Sequence, residues 1–170
     1  MAERKYFMLR MSPGGDKKRD RVPEGLAENQ LIIGWSLAGE LGNPDLSKTE
    51  FKQYLAHVYR VHEWSAAHAG SSAGNMWLFV REMNPGDVVV VPHFKSFYLA
   101  EVDGDAFHVP DKIPEDSAWR RPAKWLNSKQ GFSREQASEA LRSRMRVRRT
   151  CLNISDLADD IEVLLGTANG

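Results

Sequence analysis

Asn75-Met-Trp-Leu-Phe-Val-Arg-Glu-Met-Asn-Pro-Gly-Asp-Val-Val-Val-Val-Pro-His93 reads as a helix, a sharp turn and a covered strand in succession. Asn84, Pro85 and Gly86 break the helical pattern and Asp87 polarises the turn. Val88 to Val91 is a β-branched run of the kind that suits a pleated strand buried on both sides. A second strand, Phe97-Tyr-Leu-Ala-Glu-Val102, follows the short basic loop His93-Phe-Lys-Ser96. Two strands so joined begin a small barrel.

Upstream, Tyr6-Phe-Met-Leu-Arg-Met11 opens as a strand. Residues 12–25, with Gly14-Gly15, Lys17, Lys18, Arg19 and Arg21, form a charged, mobile loop in this reading. Gln30 to Ser36 is a short buried strand that breaks at Gly34 and presents Trp35 and Ser36 at its tip. Ser47-Lys-Thr-Glu50 is a capping box, which starts a helix at about Lys48 that runs into the early sixties. The small residues of 66–74 read as a flexible delivery to the helix over 75–83. Downstream, Asp103-Gly-Asp105 marks a turn, 106–109 returns as a strand, 110–114 is irregular and Trp119 to Leu126 is a further strand. Ser133 caps a helix over 134–141, and Ser155 caps a terminal helix reaching Leu165. This order predicts an α+β domain around a curled, mostly antiparallel β-barrel flanked by helices. Strands do not alternate with long helices and no GxGxxG follows a strand, which disfavours a doubly wound fold.

The chain has 170 residues, 42% of them apolar, enough for one domain with its own core. Its 23 basic and 23 acidic residues cancel, so a polyanion surface has to come from local clustering. One cysteine, Cys151, has no partner for an internal disulfide, and no apolar stretch approaches a membrane span. The expectation is a cytoplasmic protein.

Catalytic material is thin. His57, His62, His68, His93 and His108 fall in no dense ligand spacing, so no metal or other cofactor is expected. Asp103 and Asp105 flank a turn glycine, and Cys151 has no CxxC partner and reads as a buried thiol. The expectation is therefore a non-enzymatic protein. Aromatics are better placed: Trp35, beside Ser36, could wall a pocket for a planar ligand, with Trp77, Phe94, Phe97 and Tyr98 as candidates for the other walls.

Arg142, Arg144, Arg146 and Arg148 recur at every second position, with Arg149 beyond. If the segment is extended, four guanidinium groups leave one face and suit phosphate oxygens. Lys17, Lys18, Lys95, Arg120, Arg121 and Lys124 would enlarge that surface. The alternative is an edge strand charged against aggregation, or one paired with Asp156, Asp159 and Asp160.

The phrases Leu31-Ile-Ile-Gly-Trp-Ser36, Trp77-Leu-Phe-Val80, Met83-Asn-Pro-Gly-Asp-Val-Val-Val-Val-Pro92, Tyr98-Leu-Ala-Glu-Val-Asp-Gly104 and Arg121-Pro-Ala-Lys-Trp-Leu126 occur in that order. The order resembles the N-terminal modules of Mrr-like and other modification-dependent restriction endonucleases, within the PUA-like group that includes EVE, YTH and ASCH domains. The resemblance covers residues 6–155. It implies a single PUA-like domain over 1–155, with a C-terminal helix and tail over 156–170 leading to an absent effector domain. It also implies a barrel that holds a flipped, modified base of DNA, or of RNA, in an aromatic cage while basic loops grip the backbone. Trp35 and Ser36 would then belong to the cage, with Trp77 opposite, and Gly86-Asp87 would shape the turn. The chain departs from the pattern in its long, small 66–74 segment and in Leu-Ala-Glu-Val, where members often carry a glycine before the acidic position. No nuclease motif follows, so an effector nuclease of a bacterial restriction or anti-phage system would lie on another chain or in a missing domain. The alternative function is a regulatory module that binds a nucleotide-like small ligand or a partner protein.

Overall fold

The structure, a computed structural model, describes residues 3–12, 19–60 and 66–168. The deciding stretch folds as read. Helix α3 (Ala66–Trp77) passes into a π-helical turn at Leu78–Glu82, and strand β3 (Val88–His93) follows the Asn-Pro-Gly-Asp turn. β3 pairs antiparallel with β4 (Ser96–Val102) across its whole length and parallel with β1 (Tyr6–Leu9). β2 (Gln30–Ile33), β6 (Trp119–Trp125) and β8 (Cys151–Asn153) complete the sheet in the order β2-β6-β4-β3-β1-β8, with short β5 (Phe107–His108) on β6 and β7 (Phe132–Ser133) on β4. The sheet is curled and mostly antiparallel, but it is open, a half-barrel where a β-barrel was expected. Five α-helices flank it among the described residues.

The valine run of β3 is explained by two cores. Successive strand residues point to opposite faces, so Val89 and Val91 join Phe7, Leu9, Ala100 and Val102 beneath α2 (Lys48–Arg60) and α3. Val88 and Val90 join Tyr6, Met8, Phe97 and Leu99 against α4 (Glu139–Met145) and α5 (Ala158–Ala168). A strand covered on both faces cannot alternate apolar with polar residues.

The turn before β3 is held by Asp87, whose buried carboxylate accepts from the backbone N–H of Asn84 (2.8 Å) and of Lys5 (3.0 Å). The Asp87 N–H closes on the Asn84 carbonyl, and Gly86 takes φ +95°, the conformation a type II turn demands at that position. A Cβ on Gly86 would meet nothing within 4 Å, so the cost of Gly86→Ala lies in the backbone alone. The variant should lose about 1 kcal/mol, a fall of roughly 2–4 °C in melting temperature. A melt that does not move would show that the turn tolerates another geometry.

Several elements depart from the expectations. Residues 66–74 belong to α3, where Ser72 and Ala73 are buried; small side chains let a helix pack closely. The charged loop of 12–25 gives way to α1 (Val22–Glu28), started by a proline in its first turn and stopped by Asn29 in the left-handed region. The helix expected over 134–141 is split: Ser133 caps a 3-10 turn at Arg134–Gln136, and Ser138 caps α4 by accepting from the Leu141 N–H (3.1 Å). Ser155 turns inward, accepting from the Tyr6 N–H (3.0 Å), and a 3-10 turn leads into α5. No helix among the described residues is long and apolar enough to cross a membrane.

Candidate functional site

The arginine ladder is not a strand. Arg142 and Arg144 ride on α4, Arg146 closes it, and Arg148 and Arg149 lie in the exposed segment leading to β8. Arg144 is spent on Asp156, in a two-pronged contact of 2.6 and 2.9 Å; the pairing alternative named that aspartate, but the arginine comes from a helix rather than an edge strand and the aspartate from the turn before α5. Arg146, Arg148 and Arg149 instead meet Arg10 and Arg134 around a cleft of about 590 Å³, together with Ser12, Met145 and Thr150. No carboxylate is among the described residues lining it.

Each basic group arrives for a local reason. Arg10 continues β1 on the face of Tyr6 and Met8, and its guanidinium donates to the Met145 carbonyl where α4 ends and to the Val147 carbonyl, which also accepts from the Arg149 N–H. Arg134 is fixed by the capping box of Ser133 and Gln136, and its N–H donates to the Lys95 carbonyl (3.3 Å). The Arg134 Nε is buried with no hydrogen-bond partner among the described residues. Burial lowers the pKa of Arg10, and the charge of Arg134 lowers it further; burial and then Arg146 do the same to Arg134. Like charges drawn together with no carboxylate among the described lining residues favour an anion in the cleft.

A second, more open groove of about 640 Å³ shares Arg134 and Arg146 with the first and adds Phe94, Lys95, Ser133 and Glu135. The two are joined from behind as well. Ser12 donates to Asp20 (2.5 Å), whose other carboxylate oxygen lies 2.7 Å from His93 Nε2, and the His93 ring meets Phe94 edge-on with centroids 4.7 Å apart. Burial pushes the Asp20 pKa up, but the hydrogen bonds from Ser12, His93 and Val22 outweigh it and hold the group below its ordinary value.

The other expected site residues do not converge. Arg120 and Arg121, expected at a phosphate surface, are buried. Arg120 pairs with Glu24 (2.5 Å), and Arg121 donates to the carbonyls of Phe79, Gly104 and Val80. Ser36 is buried too, accepting from the Ala118 N–H (2.9 Å) while its own N–H donates to Asp116 (3.0 Å). Phe97 is stacked on Phe132 in the second core, on the face of β4 opposite to Tyr98, so the two cannot wall one pocket. Tyr98 is half-buried, edge-on to Trp125. Trp77 is edge-on to Phe51, is flanked by the cations of Lys48 and Arg81, and donates to Glu82 (2.9 Å). Its crevice holds about 60 Å³, far below the few hundred Å³ usual for ligand pockets. Trp35 is half-buried at φ +55° and packs against the first core. Arg142 and Lys124 line neither cavity, and Lys17 and Lys18 lie outside the described residues. Arg10 and Arg134 were missed; the signal for Arg10 was a charge in an otherwise apolar strand.

Among the described residues no three His, Cys, Asp or Glu side chains are grouped as a metal ion requires. Cys151 is fully enclosed, and burial pushes its thiol up to about 12. His108 Nε2 lies 2.7 Å from the Ser36 carbonyl, and His57 is exposed.

None of the curated proteins matches this sequence. Among solved structures the chain is similar to the NMR structure of Rpa0253 from Rhodopseudomonas palustris, at 15% identity over 97% of this chain and 93% of that one, with a TM-score of 0.39. A family model described as "Domain of unknown function (DUF8426)" matches residues 9–154, most of the described fold, and the chain belongs to that family.

Proposed function

We propose that this chain is a nucleic-acid-binding module whose backbone grip is the arginine cleft. The observation that carries the reading is the meeting of Arg10, Arg134, Arg146, Arg148 and Arg149 around one cavity that has no carboxylate, and whose buried Arg134 Nε has no partner, among the described residues. A guanidinium presents a planar fork of donors that matches phosphate oxygens. The cleft runs into a second basic groove through shared Arg134 and Arg146, a continuity that suits a chain of phosphates better than one. In a chain with no net charge, such local concentration marks out one face.

The finer fold reading, PUA-like, is supported by the curled, mostly antiparallel sheet and by the Asn-Pro-Gly-Asp turn that leads into it. The selective part of the proposal, a reader of modified bases in DNA serving a restriction or anti-phage effector on another chain, rests on the sequence resemblance. Trp35 adds one observation: a bulky residue at positive φ is strained, and strain of this kind gathers at functional sites.

The test is the affinity of the protein for a labelled DNA oligonucleotide as salt is raised. Each neutralised phosphate contributes roughly −0.7 to −0.9 to the slope of log affinity against log salt, so a slope of about −3 or steeper is expected. An affinity indifferent to salt, or no binding at low salt, would remove the proposal.

A further inference from the structure

We propose that Phe94 is a stacking platform for an unpaired base, so that the cleft and groove together take single-stranded nucleic acid in preference to duplex. The inference rests on the phosphate reading of the arginine cleft and adds the element that meets the base.

Strands β3 and β4 are joined by the two-residue loop Phe94-Lys95, and Phe94 stands at φ +53°. Two-residue hairpins of this kind call for glycine at the first position, because a Cβ there crowds the backbone. The chain places a phenylalanine there instead and leaves it 46% exposed. Phe94 belongs to neither hydrophobic core, so burial in a core does not repay the strain. One edge rests on His93, which Asp20 and Ser12 hold in place, and the ring also borders the groove that contains Lys95, Arg134 and Arg146.

An apolar ring beside two guanidinium groups and an ammonium matches a nucleotide, which carries a flat π face and an anionic phosphate on one short frame. In a duplex both faces of each base are covered by its neighbours, so the platform requires a base that is out of the stack. Glu135 is the carboxylate on the groove wall, and it disfavours continuous phosphate contact there, leaving phosphates to the adjoining cleft.

The test uses three labelled probes of one length: a single strand, the same strand with abasic sites across its centre, and a duplex. Binding is measured to wild type, Phe94→Gly and Phe94→Trp. Base stacking on an aromatic changes affinity by roughly 5- to 150-fold, so wild type should prefer the intact strand to the abasic one by about tenfold or more. Phe94→Gly should abolish that preference while melting no lower than wild type, since glycine relieves the turn, and Phe94→Trp should keep it. Equal binding of intact and abasic strands by wild type, or an undiminished preference in Phe94→Gly, would overturn the platform and leave the phosphate grip standing. Failure of all three probes to bind wild type would remove the phosphate reading itself, and the platform with it. Displacement of the strand by a phenylalanine-bearing acidic peptide as readily as by unlabelled strand would overturn it in favour of a protein partner.

Discussion

Arg121→Ala should cost at least about 3 kcal/mol of stability, because the side chain it removes holds three backbone carbonyls, two of them buried. The guanidinium donates to the carbonyls of Phe79 (2.6 Å), Gly104 (2.7 Å) and Val80 (2.9 Å). Two of these belong to the π-helical turn that closes α3, where the ordinary helical ladder stops and carbonyls lose their intrahelical partners. Arg121 is 2% exposed, and burial draws its pKa down to about 10 while the more distant charges of Asp105 and Asp87 pull it back. Truncation leaves the buried Phe79 and Val80 carbonyls unsatisfied at roughly 1–3 kcal/mol apiece, and it opens a cavity as well, while the partly buried Gly104 carbonyl can turn to water. Melting should fall by about 6 °C or more. Arg121→Lys should rescue only part of this, since one ammonium cannot span three diverging acceptors as the planar fork does. An Arg121→Ala protein that melts as wild type but loses DNA affinity would return Arg121 to the phosphate surface.

The same residue shows where the sequence was legible and where it was not. The mix of aromatic and basic residues from Trp119 to Leu126 placed Arg121 on a strand, which is correct, but such a mix does not say which side chains are solvated when both faces of a sheet are covered. Local chemistry carried further. The Asn-Pro-Gly-Asp turn, the valine run and the Ser47 to Glu50 capping box all read correctly, because each is decided by neighbours within four residues. Residues 142–149 misled for the opposite reason: every second arginine imitates a strand, whereas Leu141 and Met145, four apart and both buried, mark one turn of a helix begun at Ser138. Pro23 in the first turn of α1 was a start signal masked by the surrounding charge. The cleft itself could not be read along the chain, since Arg10 and Arg146 are brought together only when β1 pairs with β8 and α4 docks beneath it. Phe94 had a readable signal in a two-residue hairpin loop without glycine, but only the fold shows that the ring stays outside both cores.

Arg134→Ala combined with Arg146→Ala should weaken binding of a DNA oligonucleotide by roughly 30-fold or more at moderate salt, because both residues line both cavities. Loss of charge and loss of geometry can be separated. Removing two phosphate contacts should flatten the slope of log affinity against log salt by about 1.4 to 1.8, whereas a misfolded protein would lose affinity together with its cooperative melt. Arg146 is exposed and the Arg134 Nε has no partner among the described residues, so neither is needed to satisfy a described buried acceptor, and the double variant should fold. The decisive measurement is the salt dependence of DNA affinity for wild type and this double variant side by side, with thermal melting as the control. A weaker, flatter dependence in a folded variant is the result predicted; an unchanged affinity and slope would contradict the assignment of the arginine cleft as the nucleic-acid grip.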